Sequence, residues 1–170
     1  KGKSALYEVK NSTSEAEFKA GSFEFSNATF LDLSSIGAST VFQADVGSIK
    51  VLDSLLFYWS SPEPAQSLSF AARDSINIID SWISTQSGTG AFLSMETLEG
   101  EVVIDNSTIY SPDMRVSSAH SVSITDSSLD LNSGVKTGTV SIESRASSTA
   151  SSVLLSDASI GTNTFSVEPS

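Results

Sequence analysis

The sequence predicts an all-β fold, a right-handed single-stranded parallel β-helix (solenoid) with about six coils of about 25 residues. Three observations predict it: a nine-residue phrase recurs along the chain, a second and shorter phrase keeps pace with it, and both alternate apolar with polar residues. Alternation with period two turns one face of an extended segment toward a core. Recurrence at this interval marks a solenoid, because one turn cannot bury its apolar face and a stack of turns can.

The first phrase occurs as Ser22–Phe30 (SFEFSNATF), Ser48–Leu56 (SIKVLDSLL), Ser75–Ile83 (SINIIDSWI), Glu101–Ile109 (EVVIDNSTI), Ser121–Leu129 (SVSITDSSL) and Ser152–Ile160 (SVLLSDASI). Its sixth position is always Asn or Asp: Asn27, Asp53, Asp80, Asn106, Asp126 and Asp157, at spacings of 26, 27, 26, 20 and 31 residues. The second phrase appears as Val41-Phe42, Leu68-Ser69-Phe70, Phe92-Leu93-Ser94-Met95, Met114-Arg115-Val116, Val140-Ser141-Ile142 and Phe165-Ser166-Val167. The long last interval of the Asx column is attributed to an insertion, Ser144–Ala150. Stacking predicts two inward files, one of Phe25, Val51, Ile78, Ile104, Ile124 and Leu155, the other of Phe30, Leu56, Ile83, Ile109, Leu129 and Ile160. No window keeps helical apolar spacing, and β-branched residues dominate the apolar positions.

The whole of 1–170 reads as one β-helix domain and a segment of a longer protein, with 1–20 a cap or a degenerate coil. Within that stretch, Ser12–Ala20 is either a short capping helix or an earlier coil. Thr164–Ser170 opens a further turn, so the chain is expected to continue or to meet a partner there, since a bare solenoid end exposes strand edges.

The Asx column is expected to make the bend between two strands, because Asn and Asp tolerate left-handed backbone. The side chain is expected to accept a hydrogen bond from the N–H two residues on, and the small residue that follows (Ala28, Ser54, Ser81, Ser107, Ser127, Ala158) to leave room for it. Four of the six are Asp, and neighbouring carboxylates such as Asp53 and Asp80 repel by about 1 kcal/mol in water. They either face solvent or share Ca²⁺; no dense oxygen-ligand loop is present, so no cofactor and no metal site is expected.

Nine Lys and Arg against twenty Asp and Glu give a net charge of −11, which disfavours nucleic acid and anionic membranes as partners. With no Cys, disulfides, thiolate metal sites and a Cys nucleophile are excluded. No transmembrane run and no signal-peptide core is evident, and the chain starts at Lys1 without Met, as a processed or excised segment does. Ser and Thr are abundant and charge is sparse at 17%, as in all-β exoproteins.

No catalytic constellation is expected. His120 lacks a Ser-His-Asp setting and reads as a turn or surface residue. Arg73, Arg115 and Arg145 occupy related places in different turns, either as one cationic stripe or as ordinary solvated surface. Glu96, Glu99 and Glu101 flank a bend at Gly100. Of the sequons at Asn11, Asn27 and Asn106, two coincide with the Asx turn. The glycine-containing stretches Gly88-Thr89-Gly90 and Gly134–Gly138 lack the strand–loop–helix setting of a nucleotide site.

The most suggestive feature is aromatic. If Leu56 points inward, Leu55, Phe57 and Trp59 point outward, and the same outward face carries Trp82 and Tyr110 in the next turns, with Leu31 and Leu33 in the previous one. Such a patch is covered by a neighbouring segment such as Ser60–Ala65, docks a protein, or stacks sugar rings.

The recurring phrase, best seen in SINIIDSWI, EVVIDNSTI and SVSITDSSL, resembles the repeats of filamentous-haemagglutinin-like exoproteins and autotransporter passengers, over roughly Ser22 to Val167. The resemblance implies a right-handed β-helix exported to the cell surface, with an adhesive or structural role and a cell-surface protein or carbohydrate as partner. Further coils or identical subunits are the other partners it implies. It concerns repeat body only, so a carbohydrate-active β-helix (lyase or hydrolase) and an oligomerising tail-fibre or stalk module stand as alternatives.

Overall fold

The computed structural model describes residues 5–9, 16–32, 39–58, 67–85, 92–130, 139–145, 152–161 and 164–169, and side chains within 17–30, 39–57, 67–85, 92–130, 139–145 and 152–160. Every regular element among them is a strand. A first strand, β1 (Ala5–Val9), precedes six coils of three strands each. The coils are β2 (Ala16–Ala20), β3 (Phe23–Ser26) and β4 (Ala28–Asp32); β5 (Ser39–Ala44), β6 (Ile49–Leu52) and β7 (Leu55–Tyr58); β8 (Ser67–Ala72), β9 (Ile76–Ile79) and β10 (Trp82–Ser84). They continue with β11 (Phe92–Thr97), β12 (Val102–Asp105) and β13 (Thr108–Tyr110); β14 (Asp113–Ser118), β15 (Ser121–Thr125) and β16 (Ser128–Asp130); and β17 (Thr139–Ser144), β18 (Ser152–Ser156) and β19 (Ser159–Gly161). A last strand, β20 (Thr164–Pro169), follows.

Each strand pairs in parallel with its equivalent one coil away, which makes three sheets of seven, seven and six strands. The chain is therefore a parallel β-helix. Both predicted inward files form. Phe25 pairs with Val51, Val51 with Ile78, Ile78 with Ile104, Ile104 with Ile124 and Ile124 with Leu155. In the second file Phe30 pairs with Leu56, and so on through Ile83, Ile109 and Leu129 to Ile160. The second phrase supplies the third wall, where Phe42, Phe70, Met95, Val116 and Ile142 stand in register. Val51, Ile78, Ile104 and Ile124 are wholly buried, whereas Leu155, at the end of its file, is 38% exposed.

Rings line the interior of the first three coils. Phe18, Phe42 and Phe70 stack at centroid distances of 5.0 and 5.8 Å, and Phe25 and Phe30 meet the Phe42 ring edge-on at 5.1 and 5.6 Å. Later coils use Ile, Leu, Val and Met, so the core changes from aromatic to aliphatic along the axis.

Of Ser12–Ala20, the part from Ala16 to Ala20 is strand β2, paired in parallel with β5, and 12–15 lies outside the described residues. The 31-residue interval is an insertion between β17 and β18, as the repeat spacing requires. The short 20-residue interval has the opposite cause: only Ser111 and Pro112 connect β13 to β14. One corner also explains a glycine. A Cβ on Gly100 would lie 1.8 Å from the Asp74 carbonyl oxygen of the coil below, so the turns approach too closely there for any side chain.

Candidate binding groove

The corner between the first-phrase strands builds the site. All six Asx residues have left-handed backbone, with φ between 44° and 51°, and they are the only non-glycine residues with positive φ among those described. Asn and Asp bear this conformation at lower cost than other residues with a Cβ. The bend turns the following residue inward and the next one outward, so three parallel files run along the rod at this corner.

The middle file differs from expectation in what it does. Ser54, Ser81, Ser107 and Ser127 are buried, and each donates its hydroxyl to the carbonyl two residues back, at 2.6–2.7 Å. Each hydroxyl oxygen in turn accepts the backbone N–H of the equivalent residue one coil below, at 3.1 Å for Ala28, Ser54, Ser81 and Ser107. The serines therefore form a continuous ladder that satisfies buried main-chain donors which the bend pulls out of the sheet.

The same geometry corrects the role expected of the Asx side chains. Two residues beyond Asp80, Asn106, Asp126 and Asp157 the N–H is donated to the coil below: Trp82 to the Ser54 carbonyl, Thr108 to Ser81, Ser128 to Ser107 and Ser159 to Ser127, all at 2.9 Å. The Asx side chains are left exposed along the corner. Asn106 Nδ2 donates to Asp80 Oδ1 at 2.6 Å, one rung of the side-chain stacking the column permits.

These files line an open groove of about 780 Å³ that crosses four coils. Asn27, Asp53, Asp80 and Asn106 line it on one side, Thr29, Leu55, Trp82 and Thr108 on the other, with Ala28, Ser54 and Ser81 between them. The predicted aromatic patch and the Asx column, read separately in the sequence, thus meet in one concavity. Leu55, Trp82 and Thr108 are register partners in adjacent coils. Phe57 and Tyr110 share a neighbouring file with Ser84 between them. Phe57 stacks on Trp82 with centroids 5.8 Å apart and planes 11° from parallel. Leu55 is exposed, while Phe57, Trp82 and Tyr110 are half-buried. Trp59, the side chain of Leu31, Leu33, Ser60–Ala65, Asn11 and both glycine-containing stretches lie outside the described residues.

The groove residues the sequence missed are the threonines Thr29 and Thr108. Their signal was the position two beyond each Asx, where Leu55 and Trp82 also stand.

The remaining candidates disperse over other faces. Arg73, Arg115 and Arg145 do not form a cationic stripe. Arg73 pairs with Glu99 at 2.7 Å, Arg115 with Glu143 at 3.5 Å, and Arg145 with Glu96 at 2.6 Å. Arg115 stands within β14, in register with Ser94 and Ser141, whereas Arg73 and Arg145 follow the ends of β8 and β17 at equivalent places three coils apart. The Arg73 guanidinium, through its hydrogen bond and its charge, holds the Glu99 carboxyl below its ordinary range. Glu101 accepts from Ser121 Oγ at 3.2 Å. His120 is an exposed turn residue whose N–H donates to the Gly100 carbonyl at 3.2 Å, in the coil below.

Asp53, Asp80, Asp126 and Asp157 take part in none of the ion pairs among the described residues, which engage Glu17, Glu96, Glu99 and Glu143. Among the described residues, the four carboxylates of the Asx corner therefore lack an ion-pair partner. No group of three or more metal-ligating side chains occurs among the described residues, and no described helix is long and apolar enough to cross a membrane. Compared with protein-family models, curated proteins and solved structures, the chain matches none.

Proposed function

We propose that this chain is the non-catalytic body of an exported adhesive protein, a stiff β-helical rod that presents the Asx-corner groove to a cell-surface partner. One observation carries the reading: a concave face crosses four coils, with half-buried Trp82 and exposed Leu55 facing the carboxylates of Asp53 and Asp80. An apolar ring beside convergent polar groups is the usual make-up of a recognition surface. The scaffold suits the task, because the corner is held by buried side chains and interlocked hydrogen bonds and needs no rearrangement to bind. Extracellular placement follows from the resemblance of the repeat, and so does a partner of protein or carbohydrate type.

The test is retention of the purified chain on surfaces coated with acidic, neutral and amine-bearing polysaccharides and with cell-surface protein. The expected result is retention on at least one surface, no release of new reducing ends, and loss of retention in Trp82→Thr. Thr already occupies the equivalent position in two other coils, as Thr29 and Thr108, so that variant keeps the fold. Sustained release of reducing ends replaces this reading with a carbohydrate-active one. Retention on no surface contradicts it.

A further inference from the structure

We infer that the groove binds a linear amino-sugar polymer laid along the rod axis, its protonated amines on the Asp53 and Asp80 carboxylates and one pyranose face on the Trp82 ring. The inference rests on the proposed binding role of the groove and names the ligand that fits it. Three features of the structure choose this chemistry.

The first is charge. Asp53 and Asp80 stand in adjacent coils, exposed, and without a cationic partner among the described residues, whereas Glu17, Glu96, Glu99 and Glu143 on other faces are paired with arginine or lysine. A ligand with positive charge at short, regular intervals relieves their mutual repulsion and forms charge-assisted hydrogen bonds. Uronic and sulfated polymers are repelled by the same groups.

The second is the ring. Trp82 lines the groove and is backed by Phe57 in a stacked arrangement, which fixes the indole as a platform. Sugar rings present an apolar C–H face that stacks on indole, and a nearby ammonium adds attraction to the same ring.

The third is shape. Four coils at about 4.8 Å make a trough about 14 Å long between the outer two, the length of a short oligosaccharide rather than of one sugar. Asn27, Asn106 and Thr108 place polar side chains along it for ring hydroxyls. A basic peptide is the lesser fit. The main-chain donors of the floor and of Trp82 and Thr108 are already given to neighbouring coils, so an extended peptide finds no strand edge to join.

The experiment is calorimetric titration of the chain with a β-1,4-linked glucosamine hexamer, its N-acetylated counterpart and hexalysine. The variants are Trp82→Thr and the pair Asp53→Asn/Asp80→Asn. Asn already occupies the column at Asn27 and Asn106 with the same left-handed backbone, so the pair removes charge without removing the bend. Expected is binding of the glucosamine hexamer, weakened about tenfold or more by either variant and by salt, with circular dichroism and melting temperature unchanged. Absence of binding, an affinity that neither variant moves, or equal affinity for the N-acetylated hexamer overturns the inference. Equal affinity for hexalysine overturns it in favour of a basic peptide. Failure here, with Trp82-dependent retention on another surface intact, contradicts the ligand and leaves the adhesive reading standing.

Discussion

Two residues repeated along the chain define each bend: an Asx in left-handed conformation and a small residue whose hydroxyl, where it has one, bridges coils. Substitution at Asp126, which lies outside the groove lining, separates backbone conformation from charge. Asp126→Asn is expected to change stability by less than about 0.5 kcal/mol, and Asp126→Val to cost about 1–2 kcal/mol, measured by urea denaturation. Equal effects would remove backbone strain as the reason for the column. The ladder has its own test in Ser81→Ala, which leaves the buried Ser54 N–H without its acceptor and the Ile79 carbonyl with the Asp53 N–H alone. A loss of about 1–3 kcal/mol is expected, against near neutrality for Ser123→Ala on the outward face of β15. The Asx bend was legible in the sequence because the residue type never varies beyond Asn and Asp. The ladder was not, although Ser stands at 54, 81, 107 and 127, because smallness alone accounts for Ser and Ala equally well and only the stacked coils bring each hydroxyl to the N–H below.

Among elements, the strands are short and their pairing is set by alternation, so the register of each sheet was readable from the apolar files. What the sequence did not convey was which row each exposed charge occupies and which opposite charge it meets. Arg73 and Arg145 occupy equivalent places just past their strands, three coils apart, while Arg115 stands within β14 in another row, and all three are paired with glutamates. The groove was obscured for a related reason: the Asx column and the outward aromatic residues belong to different strand positions, and only the sharp bend makes them two walls of one trough. The Arg73–Glu99 pair links adjacent coils and carries a pH signature. Glu99 titrates below its ordinary value of 4.5 in the folded chain, so its contribution is complete above that value and is lost as pH falls through the lower folded one. The stability difference between the wild type and Glu99→Gln is therefore expected at neutral pH and should vanish in acid, followed by urea denaturation across the range. A difference that persists in acid would place the effect in packing instead.

As a whole the molecule is a one-dimensional stack, in which every coil touches chiefly the coils on either side. Its six coils span about 29 Å at 4.8 Å each, and function on such a body resides in what its faces repeat. The groove follows from that regularity, since a single corner motif presented four times makes a trough where one copy would make only a turn. The stack itself has a direct test because the chain contains no cysteine. Lys50 and Asn77 are outward register partners in β6 and β9, and Val103 stands one coil further on in β12. Adjacent parallel strands hold paired residues at about 4.8 Å, within the Cα range a disulfide spans, while two coils lie about 9.6 Å apart and beyond it. Mild oxidation should thus crosslink the Lys50→Cys/Asn77→Cys variant within one chain and leave Lys50→Cys/Val103→Cys reduced, read by mass spectrometry of the digest. Crosslinking of the second pair, or of neither, would contradict the stacking of successive coils.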